Sequence, residues 1–322
     1  MRRSCLAALA AIASLVLLPA ATARAAWPER PVQIVVPFAA GGGTDVTARL
    51  LGRFLERHTS GRPVVVQNRA GAGGEIGMAA VAEAPPDGHT LVILNTPNVL
   101  TIPIERQARF RLDSFALIAN LVDDPGTLSV HASNPIRSIA ELTEAMRRQP
   151  GRVTYGTAGV GSAGHIAMLL VGRSAGVEGT HVPFGGSAQV ANALLGRQIE
   201  VATANFGEAI GFAQGGGQWR ILGVMAPARL EAAPELPTFA EAGIPVQTGS
   251  LRGLGAPRGT PPETIAEITR ALDAVMADPE YRAAMAQATQ AIRYVKGAEY
   301  EALLRGMEAE LRALWAATPW NR

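Results

Sequence analysis

One pattern occurs twice in this chain. Val36-Pro37-Phe38 runs into Ala39-Ala40-Gly41-Gly42-Gly43-Thr44-Asp45, and Val182-Pro183-Phe184 runs into Gly185-Gly186-Ser187-Ala188. Each follows a strand-like run and opens an amphipathic one. Small residues between a strand and a helix leave main-chain N–H groups bare at the positive end of the helix dipole. Such an end binds an anion without a charged side chain. Two of them, far apart in sequence, imply two α/β halves facing one ligand. Three consecutive glycines in the first loop exceed what one turn needs.

A third stretch, Tyr155 to His165, contains a literal G-x-G-x-x-G from Gly159 to Gly164, after a strand and before a helix. Glu178 lies about where an acid for an adenosine ribose is expected. A dinucleotide-dependent oxidoreductase on a doubly wound fold is therefore the rival reading. The same physics serves any small anion, and Thr157 and Ser162 add hydroxyls that can orient an acyl group. His165 stands in the first turn of the following helix, as a ligand contact or as a structural residue. Asn95 and Thr96 close a third strand at the carboxyl edge where open α/β sheets bind ligands, and Asn205 does the same further on. Arg252 is either an anion partner or a solvated cation. His58, His89, His131 and His181 lack metal-ligand spacing, and no G-x-S-x-G elbow or phosphate loop is present. No metal and no cofactor are expected.

The elements that must position these residues read as alternating strands and helices. Val32–Val36 is a buried strand. A helix follows from about Asp45, with Thr44 or Asp45 as its N-cap and Val46, Leu50, Leu51, Phe54 and Leu55 at helical spacing. Strands follow at 63–66 and 90–94, with an Ala-rich helix at 75–84 between them. Residues 115–121 and 127–131 read as two strands. Ser138 heads a helix over 139–149. Then come strand 153–157, helix 162–175, strand 180–183, helix 187–195, and strands at 199–203 and 219–225. Amphipathic helices at 264–276 and 299–315 close the chain. Such alternation predicts βαβ units and a parallel sheet. Crossings between halves are expected near 121–131 and 246–253, a two-stranded hinge suited to closing around a ligand.

The chain of 322 residues is long enough for two domains, and 48% of it is hydrophobic, as a globular core requires. Arg2-Arg3, the apolar run Leu6–Leu18 and Ala23-Arg24-Ala25 read as a signal peptide cleaved near Ala25. The run is short for a membrane span. Cys5, the only cysteine, lies within that segment, so the mature chain has no thiol or disulfide. Removing residues 1–25 takes away Arg2, Arg3 and Arg24 and no acid, so a formal charge of +2 becomes −1. The precursor's basicity is thus partly a targeting effect, and nucleic acid is not an expected partner.

Many ordered motifs resemble one family over essentially the whole mature length. They are Trp27-Pro28-x-Arg30-Pro31, Val35-Val36-Pro37-Phe38 with Gly42-Gly43-Thr44-Asp45, and Val66-x-Asn68-Arg69-x-Gly71-Ala72-Gly73-Gly74. Further on stand Pro86-Asp87-Gly88-His89-Thr90-Leu91, Asp113-Ser114-Phe115, Ala158-Gly159-x-Gly161-x-x-x-His165 and His181-Val182-Pro183-Phe184. Pro237-Thr238-Phe239-x-Glu241-Ala242-Gly243 and Ala256-Pro257-x-Gly259-Thr260-Pro261 complete the set. The chain resembles the substrate-binding receptors of tripartite tricarboxylate transporters, the Bug family. The resemblance implies a two-domain periplasmic binding fold. It also implies a carboxylate held by main-chain groups and bridging water between the Phe38–Asp45 and Thr157–His165 loops. Two departures stand out. Ala204 occupies a place usually acidic in the family, and Leu251-Arg252 replaces a frequent aromatic pair, changes that favour a more anionic ligand or one without an amino group.

The resulting expectation is an α/β, type II-like periplasmic binding protein, each domain a mostly parallel sheet flanked by helices. Residues 26–126 plus 251–322 form domain 1 and 127–250 domain 2. The expected ligand contacts are Phe38, Ala39, Gly42, Gly43, Thr44, Asp45, Asn95 and Thr96 from the first domain. Thr157, Gly159, Ser162, Ala163, His165, Phe184, Gly186 and Asn205 supply the second. Bulk added at Gly43 or Ser162 is expected to block the ligand while leaving the fold intact. The expected protein is periplasmic, monomeric and not an enzyme. It captures a small organic carboxylate and serves the membrane subunits of a transporter. A sensor signalling to a membrane partner is a further alternative.

Overall fold

The computed structural model describes residues 27–321, so the signal-peptide reading lies outside the described residues. The strands are β1 (Val32–Val36), β2 (Val64–Asn68), β3 (Thr90–Asn95), β4 (Phe115–His131), β5 (Thr154–Thr157), β6 (Thr180–Pro183), β7 (Val201–Asn205), β8 (Trp219–Val224), β9 (Gly249–Pro257) and β10 (Ile292–Lys296). The helices are α1 (Gly43–Leu55), α2 (Glu75–Ala82), α3 (Asn98–Glu105), α4 (Ile139–Arg148), α5 (Ala163–Ala175), α6 (Ser187–Leu195), α7 (Phe206–Gln214), α8 (Pro262–Ala277), α9 (Pro279–Gln287) and α10 (Gly297–Ala317). The strands join in the order β2-β1-β3-β9-β4-β7-β5-β6, with β8 and β10 also pairing β4.

The outer strands pair in parallel, β1 with β2 and β3, and β5 with β6 and β7. The middle is antiparallel, because β9 lies between β3 and β4 and β7 lies against the far half of β4. A strand buried on both faces explains the continuous Val-Ile run of β1. Val32, Ile34 and Val36 pack with Leu51, Phe54 and Leu272 on one face. Val35 packs with Met78, Val92 and Leu304 on the other. A second pair of cores holds the far sheet. Leu128, Val130 and Val201 meet α4 and α5, and Val190 and Leu194 of α6 meet Ala202 and Trp219.

Residues 115–131, read as two strands, are one 17-residue strand. Asp123-Asp124-Pro125-Gly126 resembles a turn in sequence, but tertiary partners satisfy its acids. Asp123 pairs with Arg293 at 2.7 Å, and buried Asp124 pairs with Arg252 at 2.8 Å. The near half of β4 pairs with β9 and β10 and the far half with β7 and β8, so this one strand belongs to both sheets.

Four elements have no counterpart in the sequence reading: α3, α7, α9 and β10. Pro103 reads as a breaker, yet it stands in the last turn of α3. Gly207 and Gly211 lower the helix propensity of α7. Gly207 is required by close approach, since a Cβ there would collide with the Thr289 carbonyl and Gln290.

Candidate functional site

Four strand-to-helix junctions converge on one cavity of about 50 Å³. Phe38, Ala39, Gly42 and Thr44 come from the start of α1, and Ala158, Ser162 and Ala163 from the start of α5. Gly186, Ser187 and Ala188 come from the start of α6, and Ala204, Asn205 and Glu208 from the start of α7. Asn95, Asn98, Ser250 and Arg252 complete the wall from β3, α3 and β9. Each helix start brings the positive end of its dipole to the same space.

The start of α1 differs from its expected form. Neither Thr44 nor Asp45 caps it. Gly42 is the N-cap and offers no side chain. Only Gly41 of the three glycines takes the left-handed region, at φ +88°. The N–H of Gly43 donates instead to Glu208 Oε1 at 2.7 Å, across 165 residues of sequence. Thr44 Oγ1 donates to Asn95 Oδ1 at 2.9 Å, and the Asn95 amide donates to the Thr96 carbonyl. Asp45 is turned into the loop, where it accepts from Gly41 N–H, Arg49 and Asn68. Burial works to raise its carboxyl, and the hydrogen bonds from Arg49, Gly41 and Asn68 outweigh that and hold it below the usual range. Thr96 Oγ1 accepts from Leu251 N–H at 2.8 Å and ties β3 to β9.

The α5 loop is braced from within. Thr157 Oγ1 donates to the Gly159 carbonyl at 3.0 Å and lies 2.7 Å from His181 Nε2. Ser162 caps α5 by accepting from His165 N–H. The His165 ring is stacked on His181 with centroids 3.9 Å apart, and its Nδ1 accepts from Gly161 N–H. Of the expected contacts, Phe38, Ala39, Gly42, Thr44, Asn95, Ser162, Ala163, Gly186 and Asn205 line the cavity. Gly43 stands behind it, beside Glu208 and Arg252. Asp45, Thr96, Thr157, Gly159, His165 and Phe184 are not among the lining residues; they shape the loops or the layer beneath.

The stacked histidines make the α5 loop acid-sensitive. Burial, with His181 beside it, pushes His165 down to about 3, and burial pushes His181 down to about 4. Below the unfolded value near 6.5 the unfolded chain takes up protons that the folded chain refuses. Stability is therefore present above about pH 6.5 and falls as pH drops toward 4. Urea midpoints measured from pH 7 to 4.5 should decline, and His181→Gln should flatten that decline. An unchanged profile in His181→Gln would remove the histidine pair as the cause.

Arg252 and Glu208 are the charged residues of the wall. Arg252 is 1% exposed; its Nη1 donates to Asp124 Oδ2 at 2.8 Å and to Gln290 Oε1 at 3.0 Å. Its Nε is buried without a hydrogen-bond partner among the described residues. Burial pushes the Asp124 carboxyl up, Arg252 opposes this, and nearby Glu208 adds to the rise. The Arg252 charge is thus answered inside the protein. An acid does stand in the cleft, at Glu208 rather than at the position of Ala204. These two facts remove the reasons from which a more anionic ligand was expected.

Glu208, Ser187, Asn98 and Ser250 were not among the residues expected from sequence. Glu208 had a local signal: Asn205-Phe-Gly-Glu208 directly after a strand is an N-cap residue followed three positions on by Glu. The structure forms this capping box, with Asn205 N–H donating to Glu208 Oε2 at 3.1 Å. Bulk at Gly43 is also not the clean block expected. A Cβ there would lie 2.5 Å from Arg252 Nη2 and 2.9 Å from its Cζ, so it would disturb the buried ion pair as well as the site.

The fold and the four convergent helix starts define a periplasmic-binding-protein architecture. Residues 49–312 match the model of the tripartite tricarboxylate transporter family receptor, and the chain belongs to that family. A Pseudomonas sp. protein named for the tcbD-tcbE intergenic region is 34% identical over 269 residues, covering 81% of this chain and 78% of its own. BugT of Bordetella pertussis is 32% identical over 248 residues, covering 76% of each. Among solved structures, the periplasmic binding protein BugD superposes with a TM-score of 0.85 at 29% identity, over 91% of this chain and 99% of its own. An R. palustris protein solved with adipate scores 0.82 at 32% identity, over 90% and 96%. MatC of Rhodopseudomonas palustris, solved with bound malate, scores 0.81 at 29% identity, over 90% and 98%.

These relatives are binding proteins rather than enzymes, and the dinucleotide reading is not favoured. The glycines of Gly159–Gly164 have internal reasons. A Cβ on Gly161 would meet Thr101 Oγ1 at 2.8 Å, and one on Gly164 would run into Thr203. They permit close packing of the loop on α3 and β7. The sensing alternative is likewise not favoured by a family of transporter receptors. Among the described residues no helix is long and apolar enough to cross a membrane.

Proposed function

We propose that the chain is an exported receptor that closes on a small organic carboxylate and hands it to the membrane subunits of a tripartite transporter. The lobes are residues 26–126 plus 251–322 and residues 127–250, joined through β4 and the start of β9. The observation that carries this reading is the convergence of the α1, α5, α6 and α7 starts on one cavity. Main-chain donors at helix ends favour a carboxylate by charge-assisted hydrogen bonds. Arg252 Nε adds a buried donor in the wall without a partner among the described residues. Relatives solved with malate and adipate support the ligand class. No step requires catalysis, a cofactor or a second copy of the chain.

The test uses the mature chain taken from the periplasm of its host, with a mass that starts it near Ala26. A ligand that binds only the folded state at a hundred times its Kd adds about 2.7 kcal/mol of stability. A thermal-shift screen of mono-, di- and tricarboxylates should therefore raise the Tm by several degrees for at least one acid. A flat response to every acid at millimolar concentration would reject the carboxylate reading.

A further inference from the structure

We propose that Glu208 is a built-in competitor for the ligand's carboxylate and so determines which acids this receptor accepts, a reading that rests on the proposed function. Its Oε1 accepts from Gly43 N–H of the first lobe at 2.7 Å and from Ser187 O–H of the second at 2.6 Å. Its Oε2 accepts from Asn205 N–H at 3.1 Å. A side-chain carboxylate therefore bridges the two lobes at the starts of α1, α6 and α7, where an incoming carboxylate would have to sit. Both distances lie within the range for charge-assisted bonds to a carboxylate oxygen.

The space left beside it is about 50 Å³, against roughly 300–1,000 Å³ for sites that enclose small molecules. A four- to six-carbon diacid does not fit while Glu208 keeps its position. Glu208 is also confined. It is held from its own helix by the capping box, and Gly42 and Gly43 pack against it from α1. The charge of Arg252, the cation in the wall among the described residues, is already answered by Asp124 and does not balance a second negative charge. A ligand carboxylate entering at Gly43 must displace Glu208 from its donors and meets a like charge as it does so. Acids carrying a single carboxylate and a hydrogen-bond donor turned toward Glu208 are thereby preferred over dianions. In the absence of ligand the Gly43 bond, the one of the three that crosses between the lobes, holds the cleft closed.

Glu208→Gln removes the charge and keeps the size and an acceptor oxygen for Gly43 and Ser187. Calorimetric titration of mature wild type and variant with malate and with adipate should show at least tenfold tighter binding in Glu208→Gln. Without ligand, small-angle scattering should give the variant a larger radius of gyration than wild type. Ser187→Ala, which deletes the bond that steadies Glu208 Oε1 within its own lobe, should tighten diacid binding the same way by less. Equal or weaker diacid binding in Glu208→Gln would overturn the competitor role. If neither protein binds any carboxylate, the receptor reading fails, and the scattering still decides the latch: an unchanged radius of gyration in ligand-free Glu208→Gln overturns it.

Discussion

Replacing Arg252 with methionine is expected to lower stability by about 3–5 kcal/mol at pH 7, the range for breaking one side of a buried ion pair. Arg252 and Asp124 have side chains 1% and 2% exposed and join the paired strands β9 and β4. Methionine fills much of the volume, so the loss reports the orphaned Asp124 carboxylate more than a cavity. That carboxylate would keep one donor, Gly207 N–H at 3.0 Å, and would still face Glu208. With Arg252 gone, burial and Glu208 both favour the protonated acid in the folded state. The folded chain then takes up a proton before the unfolded one, so the deficit relative to wild type should shrink as pH falls from 7 toward 4. Urea denaturation across that range reads it directly. The double variant Arg252→Met with Asp124→Leu should recover most of the loss, because an apolar pair avoids the desolvation cost. A double variant as unstable as the single one would show that the orphaned charge is not the source.

Gly42→Val should weaken ligand binding by at least a hundredfold while leaving the urea midpoint close to wild type. Gly42 has φ −86° and ψ 169°, extended backbone that any residue adopts. Its Cβ would lie 3.4 Å from Ser187 Oγ and 3.5 Å from Glu208 Oε1, ordinary contact distances that put the extra methyl groups between the lobes. Valine there fills the space that a ligand and the facing helix starts must share. Gly42 separates site from fold in a way Gly43 does not, since Gly43 backs directly onto Arg252. A folded Gly42→Val protein with wild-type affinity for an acid found in the thermal-shift screen would mean that ligands bind elsewhere.

Much of the site was legible because its parts are local. Strand, small residues and helix start follow one another within ten residues or so at Phe38–Asp45, Thr157–Ser162 and Phe184–Ser187, and all three junctions reach the cavity. The short β6 and α6 stand where periodicity puts them, at Thr180–Pro183 and Ser187–Leu195. Misreadings arose where distant residues answer a local need. Asp123-Asp124-Pro125-Gly126 looks like a turn until Arg293 and Arg252 neutralise its acids and β4 runs straight through. The start of α1 looks as though Thr44 or Asp45 should cap it, but Gly42 is the cap and the Gly43 N–H is answered by Glu208, 165 residues away. His165 was open between a ligand contact and a structural residue, and what no local pattern shows is that its ring stacks on His181.

By itself the sequence determined the alternating α/β architecture, the family and three of the four helix starts that converge on the cavity. These follow from side-chain periodicity, glycine and proline placement and the backbone dipole, which act over a few neighbouring residues. Only the tertiary structure decided the charges inside the cleft. Arg252 is answered by Asp124 from 128 residues away, and the seat at Gly43 is filled by Glu208 from 165 residues away. Whether a buried charge is free or paired depends on what the fold brings within about 3 Å of it, and no local pattern records that distance.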